Sequence, residues 1–311
     1  MQTKKMADMI VEAHKLYKYF SSPHSEQTIK ACEDVSLSIE EGKTLGLVGE
    51  SGCGKTTVGR ILLRLIDPDS GRIRFQGRDL ERLKEKELRP LRKQFQMIFQ
   101  ESSSAFNPRM NVYDALKESL KLYYDLKPRE LRERIDFLIS RVNLSRGTLD
   151  NFIGNLSGGE IKRLDIARVL SVEPQFIIAD EPLALLDMSI QSQIANLLLS
   201  IQQEKNISLL FISHDLRIIE MLSHTVAVMY SGRIVEYARI SVIREKPLHP
   251  YTMYLWNPKS IGFFDRLPEG GCIYKSSCVL FQKQWFPREC SSTVPELLER
   301  EKGHYVACHF A

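Results

Sequence analysis

The stretch Gly49-Glu50-Ser51-Gly52-Cys53-Gly54-Lys55-Thr56-Thr57 has the spacing G-x-x-x-x-G-K-T. It follows an apolar run, Thr44-Leu45-Gly46-Leu47-Val48, and precedes a helix-like run over 58–65. Strand, glycine-rich turn and helix start are the context that a phosphate-binding loop needs. The glycines admit backbone with φ > 0 and let the main chain approach a phosphate closely. Successive N–H groups then converge on one anion, reinforced by the positive end of the helix dipole. Lys55 offers a mobile charge to the outer phosphates, and Thr56 offers a hydroxyl to Mg²⁺. A glycine-rich turn that binds nothing does not require this strand-to-helix context. The first expectation is therefore a nucleoside-triphosphate site.

Working outward, Phe176-Ile177-Ile178-Ala179 is an all-apolar run ending in Asp180-Glu181. A strand buried on both faces of a parallel sheet reads this way. Polar residues at the carboxyl ends of such strands converge on one ligand crevice. Asp180 is thus a candidate Mg²⁺ ligand, and Glu181 can face an attacking water. His214 follows another buried run, Leu209-Leu210-Phe211-Ile212, and Gln100 ends a strand-like run over 94–99. Each can contact the γ-phosphate, the metal or the water, although a lone strand-end histidine is often structural. Ser157-Gly158-Gly159 heads a helix and makes a second anion nest, or a plain N-cap through Ser157. One triphosphate loop and two nests suggest either that the two fold together or that the second serves another subunit.

The 311 residues allow about two domains. With 43% hydrophobic and 26% charged residues, the composition is that of a globular protein. The net charge of +4, without a dense basic block, gives no argument for a nucleic-acid partner. The first ten residues carry two lysines but no long apolar core, so no secretory leader is expected. No window approaches the roughly 18 apolar residues of a membrane span. Residues 9–40 read as strands, 79–93 as a charged helical stretch broken near Pro90, and 225–236 as a hairpin. Residues 100–170 read as an inserted helical subdomain. Periodicity fades near Arg244, which places a boundary between a core over 1–243 and an extension over 244–311.

These residues together resemble the ATP-binding subunits of ABC transporters, over about residues 10–240. The phosphate loop, the glutamine Gln100, the signature Leu156-Ser157-Gly158-Gly159-Glu160, the strand ending Asp180-Glu181-Pro182, the loop Ala184-Leu185-Leu186-Asp187 and His214 follow the family's order and usual spacings. The resemblance implies an α/β fold. It has a P-loop NTPase core with a mostly parallel sheet, an antiparallel β subdomain, the inserted helical subdomain and a small cysteine-containing extension. It implies ATP hydrolysis with ATP and Mg²⁺. Gly49, Ser51, Gly52, Cys53, Gly54, Lys55, Thr56 and Thr57 would hold the phosphates, with Thr56, Asp180 and Gln100 at the metal. Glu181 would polarise the attacking water, His214 would contact the γ-phosphate, and Phe20, with Tyr19 second, would lie against adenine. It also implies a head-to-tail dimer in which Ser157, Gly158, Gly159 and Asp187 complete the neighbour's site. Glu160, Ile161 and Lys162 stand where a glutamine-rich stretch is common, and Ala184 where serine is common. These departures point to a non-identical partner subunit.

A finer resemblance, to the oligopeptide and dipeptide importer branch, lies in residues 100–110, in Leu248-His249-Pro250-Tyr251-Thr252 and in the tail ending His304-Tyr305-Val306-Ala307-Cys308-His309. The segment between Thr252 and Cys272 is shorter than that branch leads one to expect. The implied function is an ATPase energising peptide import. The alternatives are an importer of nickel or another small solute, or a soluble non-transport ABC ATPase. The implied partners are a second ATP-binding subunit, two transmembrane permease subunits and a substrate-binding protein. The chain would then sit peripherally on the cytoplasmic face of the cell membrane. Six cysteines, one inside the phosphate loop, suit a reducing compartment. Cys272, Cys278, Cys290 and Cys308 are separated by five, eleven and seventeen residues, without a C-x-x-C pair. They can hold a [4Fe–4S] cluster, as in some members of the branch, or zinc, or remain plain thiols.

Overall fold

The computed structural model describes residues 9–21, 28–257, 270–283 and 287–311. Residues 1–8, where no leader is expected, lie outside that set, as does most of the short segment between Thr252 and Cys272. The chain divides into two compact units. The first holds residues 40–43 and 82–210, and the second holds 9–39, 44–81 and 211–311.

The second unit opens with β1 (Met9–Ser21) and β2 (Thr28–Glu40), then β3 (Thr44–Val48), α1 (Lys55–Leu62), β4 (Ser70–Phe75) and β5 (Arg78–Asp79). Strands β2-β1-β4-β5 form the antiparallel β subdomain, with Val11 opposite Phe75 and Ala13 opposite Ile73. All four of those side chains are buried, as period-2 alternation requires of a one-faced sheet. All five residues of β3 are buried, which fits a strand covered on both faces.

The first unit runs through α2 (Glu85–Leu91), β6 (Phe95–Ile98), α3 (Val112–Lys121), α4 (Pro128–Arg141), α5 (Gly158–Leu170), β7 (Phe176–Asp180), α6 (Met188–Lys205) and the start of β8 (Ser208–Ile212). Val112, Ala115, Leu116 and Leu120 recur at helical spacing and bury one face of α3. Asn111 caps that helix by accepting the Asp114 N–H at 2.7 Å. The charged stretch over 79–93 departs from expectation. It starts on the last residue of the short strand β5, and its helix begins only at Glu85. Pro90 lies inside α2, but only one residue before its end. The missing N–H deprives the last turn of a bond, so the helix stops rather than kinks.

The second unit resumes with α7 (Leu216–Leu222), β9 (Thr225–Tyr230), β10 (Arg233–Arg239), α8 (Ile240–Glu245) and α9 (Pro250–Trp256). It ends with α10 (Val279–Lys283), α11 (Arg288–Ser292), β11 (Leu298–Glu301) and β12 (His304–Val306). Strand β3 pairs parallel with β9, and β6 with β7. Strands β9, β10, β12 and β11 pair antiparallel in that order. The tail therefore extends a sheet: Val306 faces Glu236, and Tyr305 faces Tyr237. The boundary expected after residue 243 falls inside α8, and the chain beyond it packs into the same unit as the phosphate loop.

Candidate functional site

In the second unit the phosphate loop leaves β3 at Val48 and enters α1 at Lys55. Gly49 and Gly54 have φ of 155° and 110°. A Cβ on Gly49 would lie 2.1 Å from the Met229 carbonyl oxygen, and one on Gly54 would lie 2.0 Å from that of Ala31. Close packing of the loop against β9 and β2 thus demands glycine at both positions. Lys55 is 4% exposed, and its Nζ donates to the Gly49 and Glu50 carbonyls at 2.8 Å each. The ammonium folds back across the loop and pins its two ends. Gly54, the cap residue of α1, brings no side-chain bond to the helix N-terminus. A phosphate suits that cradle of N–H groups. Cys53 is buried 3.8 Å from Lys55 Nζ, and burial pushes its thiol pKa up.

The Ser213 N–H donates to the Leu47 carbonyl at 3.3 Å, so His214 leaves β8 beside the start of the phosphate loop. His214 is exposed. Phe20, near the end of β1, is 40% exposed, with Lys18 Nζ 5.6 Å from its ring centroid.

In the first unit, Ile98 pairs with Ala179, so Gln100 and Asp180 emerge from the same end of two neighbouring parallel strands. Asp180 is 2% exposed, and the Gln100 side chain reaches solvent. Carboxylate and amide oxygens such as these are the hard donors that Mg²⁺ prefers. Glu181 is half-buried and has φ of 42°, a left-handed conformation that a glutamate rarely adopts. Asp187 caps α6, its Oδ1 accepting the Ile190 N–H at 3.0 Å.

At the head of α5, Ser157 and Glu160 form a capping box. The Glu160 carboxylate accepts the Ser157 N–H at 2.9 Å and the Ser157 hydroxyl at 2.7 Å. Those bonds hold its pKa below the ordinary carboxylate value. The expected second nest therefore carries a fixed anion within its first turn. Lys162, two residues on, was not expected to be more than a departure from a glutamine-rich stretch. It is buried and donates to the Phe99 carbonyl at 2.9 Å. Asp165, fully buried on the same helix, accepts the Ser102 hydroxyl at 2.6 Å.

The tail thiols do not form the ligand set expected of them. Among the described residues, no group of three or more His, Cys, Asp or Glu side chains is placed to hold a metal ion. Cys272 and Cys290 are tied through backbone, Cys272 N–H to Cys290 O at 2.8 Å. Burial first, then the charge of the other tail thiols, pushes Cys290 up to about 12; burial likewise carries Cys272 to about 11. The donor chemistry suits a soft metal, but the placement is not that of a formed site.

The ABC transporter family model matches residues 32–184. The chain is 38% identical to the probable peptide ABC transporter ATP-binding protein y4tS of Sinorhizobium fredii, over 98% of this chain and 90% of that protein. The chain is an ABC transporter ATP-binding subunit. This ATP-binding subunit is also 38% identical to the oligopeptide transport ATP-binding protein AppF of Bacillus subtilis, over 90% of this chain and 89% of that one. Among solved structures, cbiO1 from Clostridium perfringens, part of the ABC transporter complex cbiONQ, matches with a TM-score of 0.67. It shares 27% identity over 81% of this chain and 97% of its own. The ATP-binding cassette MJ0796, in a dimeric post-hydrolysis state with ADP and Pi, shares the fold with a TM-score of 0.68 at 24% identity, covering 74% and 98%. The P-loop NTPase fold and ATP hydrolysis follow from this membership. No helix among the described residues is long and apolar enough to cross a membrane.

Proposed function

We propose that this chain energises a peptide importer from the cytoplasmic face of the membrane, beside a non-identical second ATP-binding subunit. Two permease subunits and a substrate-binding protein would complete the assembly. The observation that carries the reading is end-to-end likeness to peptide-transport subunits, which includes the tail beyond the matched family residues 32–184.

In this reading the loop N–H groups and Lys55 hold the phosphates, and Phe20 lies against the adenine. Mg²⁺, held by Thr56, Asp180 and Gln100, would neutralise charge developing on the β- and γ-oxygens. Glu181 accepts a proton from water as the water oxygen bonds to the γ-phosphorus and the bond to the departing ADP oxygen breaks. His214 and Gln100 orient the water and the γ-phosphate. Ser157, Gly158, Gly159 and Asp187 complete the neighbour's cage. Hydrogen bonds to charged groups contribute about 1.5–3 kcal/mol each. A few per site, made only when the dimer is closed, exceed the roughly 5.5 kcal/mol that swings an equilibrium from 1:99 to 99:1. Loss of the γ-phosphate removes them and reopens the dimer.

The proposal extends to the tail, where Cys272, Cys278, Cys290 and Cys308 would hold a [4Fe–4S] cluster. Support comes from the burial of Cys278, Cys290 and Cys308 beside a half-buried Cys272, and from the backbone bond that ties Cys272 to Cys290. Iron and acid-labile sulfide in anaerobically purified protein test this, and finding neither removes it. The transport reading is tested by purification from detergent-solubilised membranes. Two permease subunits and a second cassette, with ATPase activity raised by peptide-loaded binding protein, are expected. A wholly soluble particle overturns it.

A further inference from the structure

Glu50 follows the first glycine of the phosphate loop, and its backbone is gripped on both sides. Its carbonyl accepts Lys55 Nζ at 2.8 Å, and its N–H donates to the phenol oxygen of Tyr251 at 2.9 Å. Tyr251 lies 201 residues away, in the first turn of α9, and is fully buried. We propose that Tyr251 is a positioning residue for the phosphate loop, through which the C-terminal extension sets the loop's affinity for a nucleoside triphosphate. The proposal rests on the reading of residues 49–57 as the ATP phosphate loop.

Three further features make Tyr251 a fixed strut. Its ring packs against Tyr230, at a centroid distance of 4.7 Å, and Tyr274, at 5.5 Å, and those two rings lie 5.1 Å apart edge to face. Such contacts add rigidity beyond burial. Tyr230 ends β9, directly after Met229, whose carbonyl presses on Gly49. The same three rings therefore support the loop from the strand side as well. The start of α9 is in turn held by a buried carboxylate. Glu236 on β10 accepts the Leu248 and His249 N–H groups at 2.9 Å each, and His304 Nε2 lies 2.6 Å from its Oε1. Glu236 and His304 are both essentially without exposure. The His249 Nδ1 accepts the Tyr251 N–H at 3.1 Å.

A continuous set of bonds thus runs from β12 in the tail, through Glu236 and the helix start, to the amide of Glu50. The phenol is kept protonated by burial. It can accept the Glu50 N–H as a neutral oxygen, without placing a negative charge beside the phosphates. Removing that acceptor leaves a loop amide unpaired next to the cradle. The peptide can then turn away from the geometry that gathers phosphate.

The test compares Tyr251→Phe with Tyr274→Phe in the full chain, reading ATP Kd by calorimetry, KM and kcat in hydrolysis, and amide exchange over 49–57. Tyr274 contributes ring packing but none of the bonds to the loop. Tyr251→Phe is expected to raise Kd and KM for ATP by roughly three- to tenfold, the scale of one lost hydrogen bond. Its kcat should stay within about twofold, because the loop holds ground and transition states alike. Faster exchange at the Glu50 amide should accompany the change, and Tyr274→Phe should bind ATP as the parent does. Unchanged ATP affinity in Tyr251→Phe overturns the proposal, as does an equal loss in Tyr274→Phe, which would make it a matter of packing. Lys55→Ala separates the two levels. If it binds ATP normally, the phosphate-loop reading itself falls. If it does not, while Tyr251→Phe is silent, only the positioning role falls.

Discussion

Lys162 Nζ lies 3.3 Å from the carbonyl oxygen of Gln100 and 2.9 Å from that of its neighbour Phe99. One buried ammonium on the signature helix thus fixes the turn that presents Gln100. Burial depresses its pKa, opposed by the charges of Asp165 and Asp180. Lys162→Met keeps the stem's packing and removes both bonds. It should cost about 2–3 kcal/mol in urea unfolding, the scale of hydrogen bonds made by a charged donor. Amide exchange near residues 99–101 should quicken. Parent-like stability would show that the turn holds without the ammonium.

Glu181 sits at φ of 42°, directly after buried Asp180. A strained conformation held at a strand end fits a carboxylate aimed at one task. Glu181→Gln should retain ATP binding while slowing turnover by about 10²–10⁴-fold, the range for losing a general base. ATP should then trap the dimer closed, visible as a stable species in size-exclusion chromatography. Ordinary turnover in this variant would remove Glu181 from the base role.

The phosphate loop and the ends of β6, β7 and β8 were legible because their cues are local. Glycine spacing, a short all-apolar run and a polar residue at its end each lie within ten residues. Ser157 likewise announces itself as a helix cap, three residues before the N–H group it accepts. What could not be read depends on partners distant in the chain. Nothing around Tyr251 signals a bond to Glu50, since only the sheet topology brings them together. The tie made by Lys162 could not be read because its two acceptors are backbone carbonyls, which carry no residue identity. The tail strand β12 spans three residues, too few for alternation to show, and it joins β10 through pairing alone. The break expected near Pro90 is instead the last turn of α2, and the flanking charge hid where that helix begins.

Glu160 brings a negative charge to the first turn of α5, where the resemblance places a neighbour's γ-phosphate. Its carboxylate also accepts a hydrogen bond from the Ser157 hydroxyl. Glu160→Gln keeps an oxygen for the Ser157 N–H and deletes the charge. Built into Glu181→Gln to stop turnover, it should lower the ATP concentration for half-maximal dimerisation roughly fivefold at low salt, about 1 kcal/mol. The gain should shrink as salt screens the pair. No change at low salt, or weaker dimerisation, would mean that Ser157–Gly159 does not approach a phosphate.

His249 couples the helix bearing Tyr251 to pH. Burial alone pushes its pKa down to about 3 from 6.5, so the folded chain holds it neutral. The unfolded chain takes up a proton as pH falls through about 6.5, whereas the folded chain does not until about 3. Between those values the unfolded state binds more protons, so this group makes stability rise with pH. The contribution is complete above about 6.5 and is lost as pH falls, by up to about 1.4 kcal/mol per pH unit. Urea unfolding at pH 7.5, 6.5 and 5.5 reads the slope directly. In His249→Gln, which retains an acceptor for the Tyr251 N–H, the slope should fall by about half a proton at pH 6.5 and by about nine-tenths at pH 5.5. An unchanged slope would show that His249 is protonated in the folded chain.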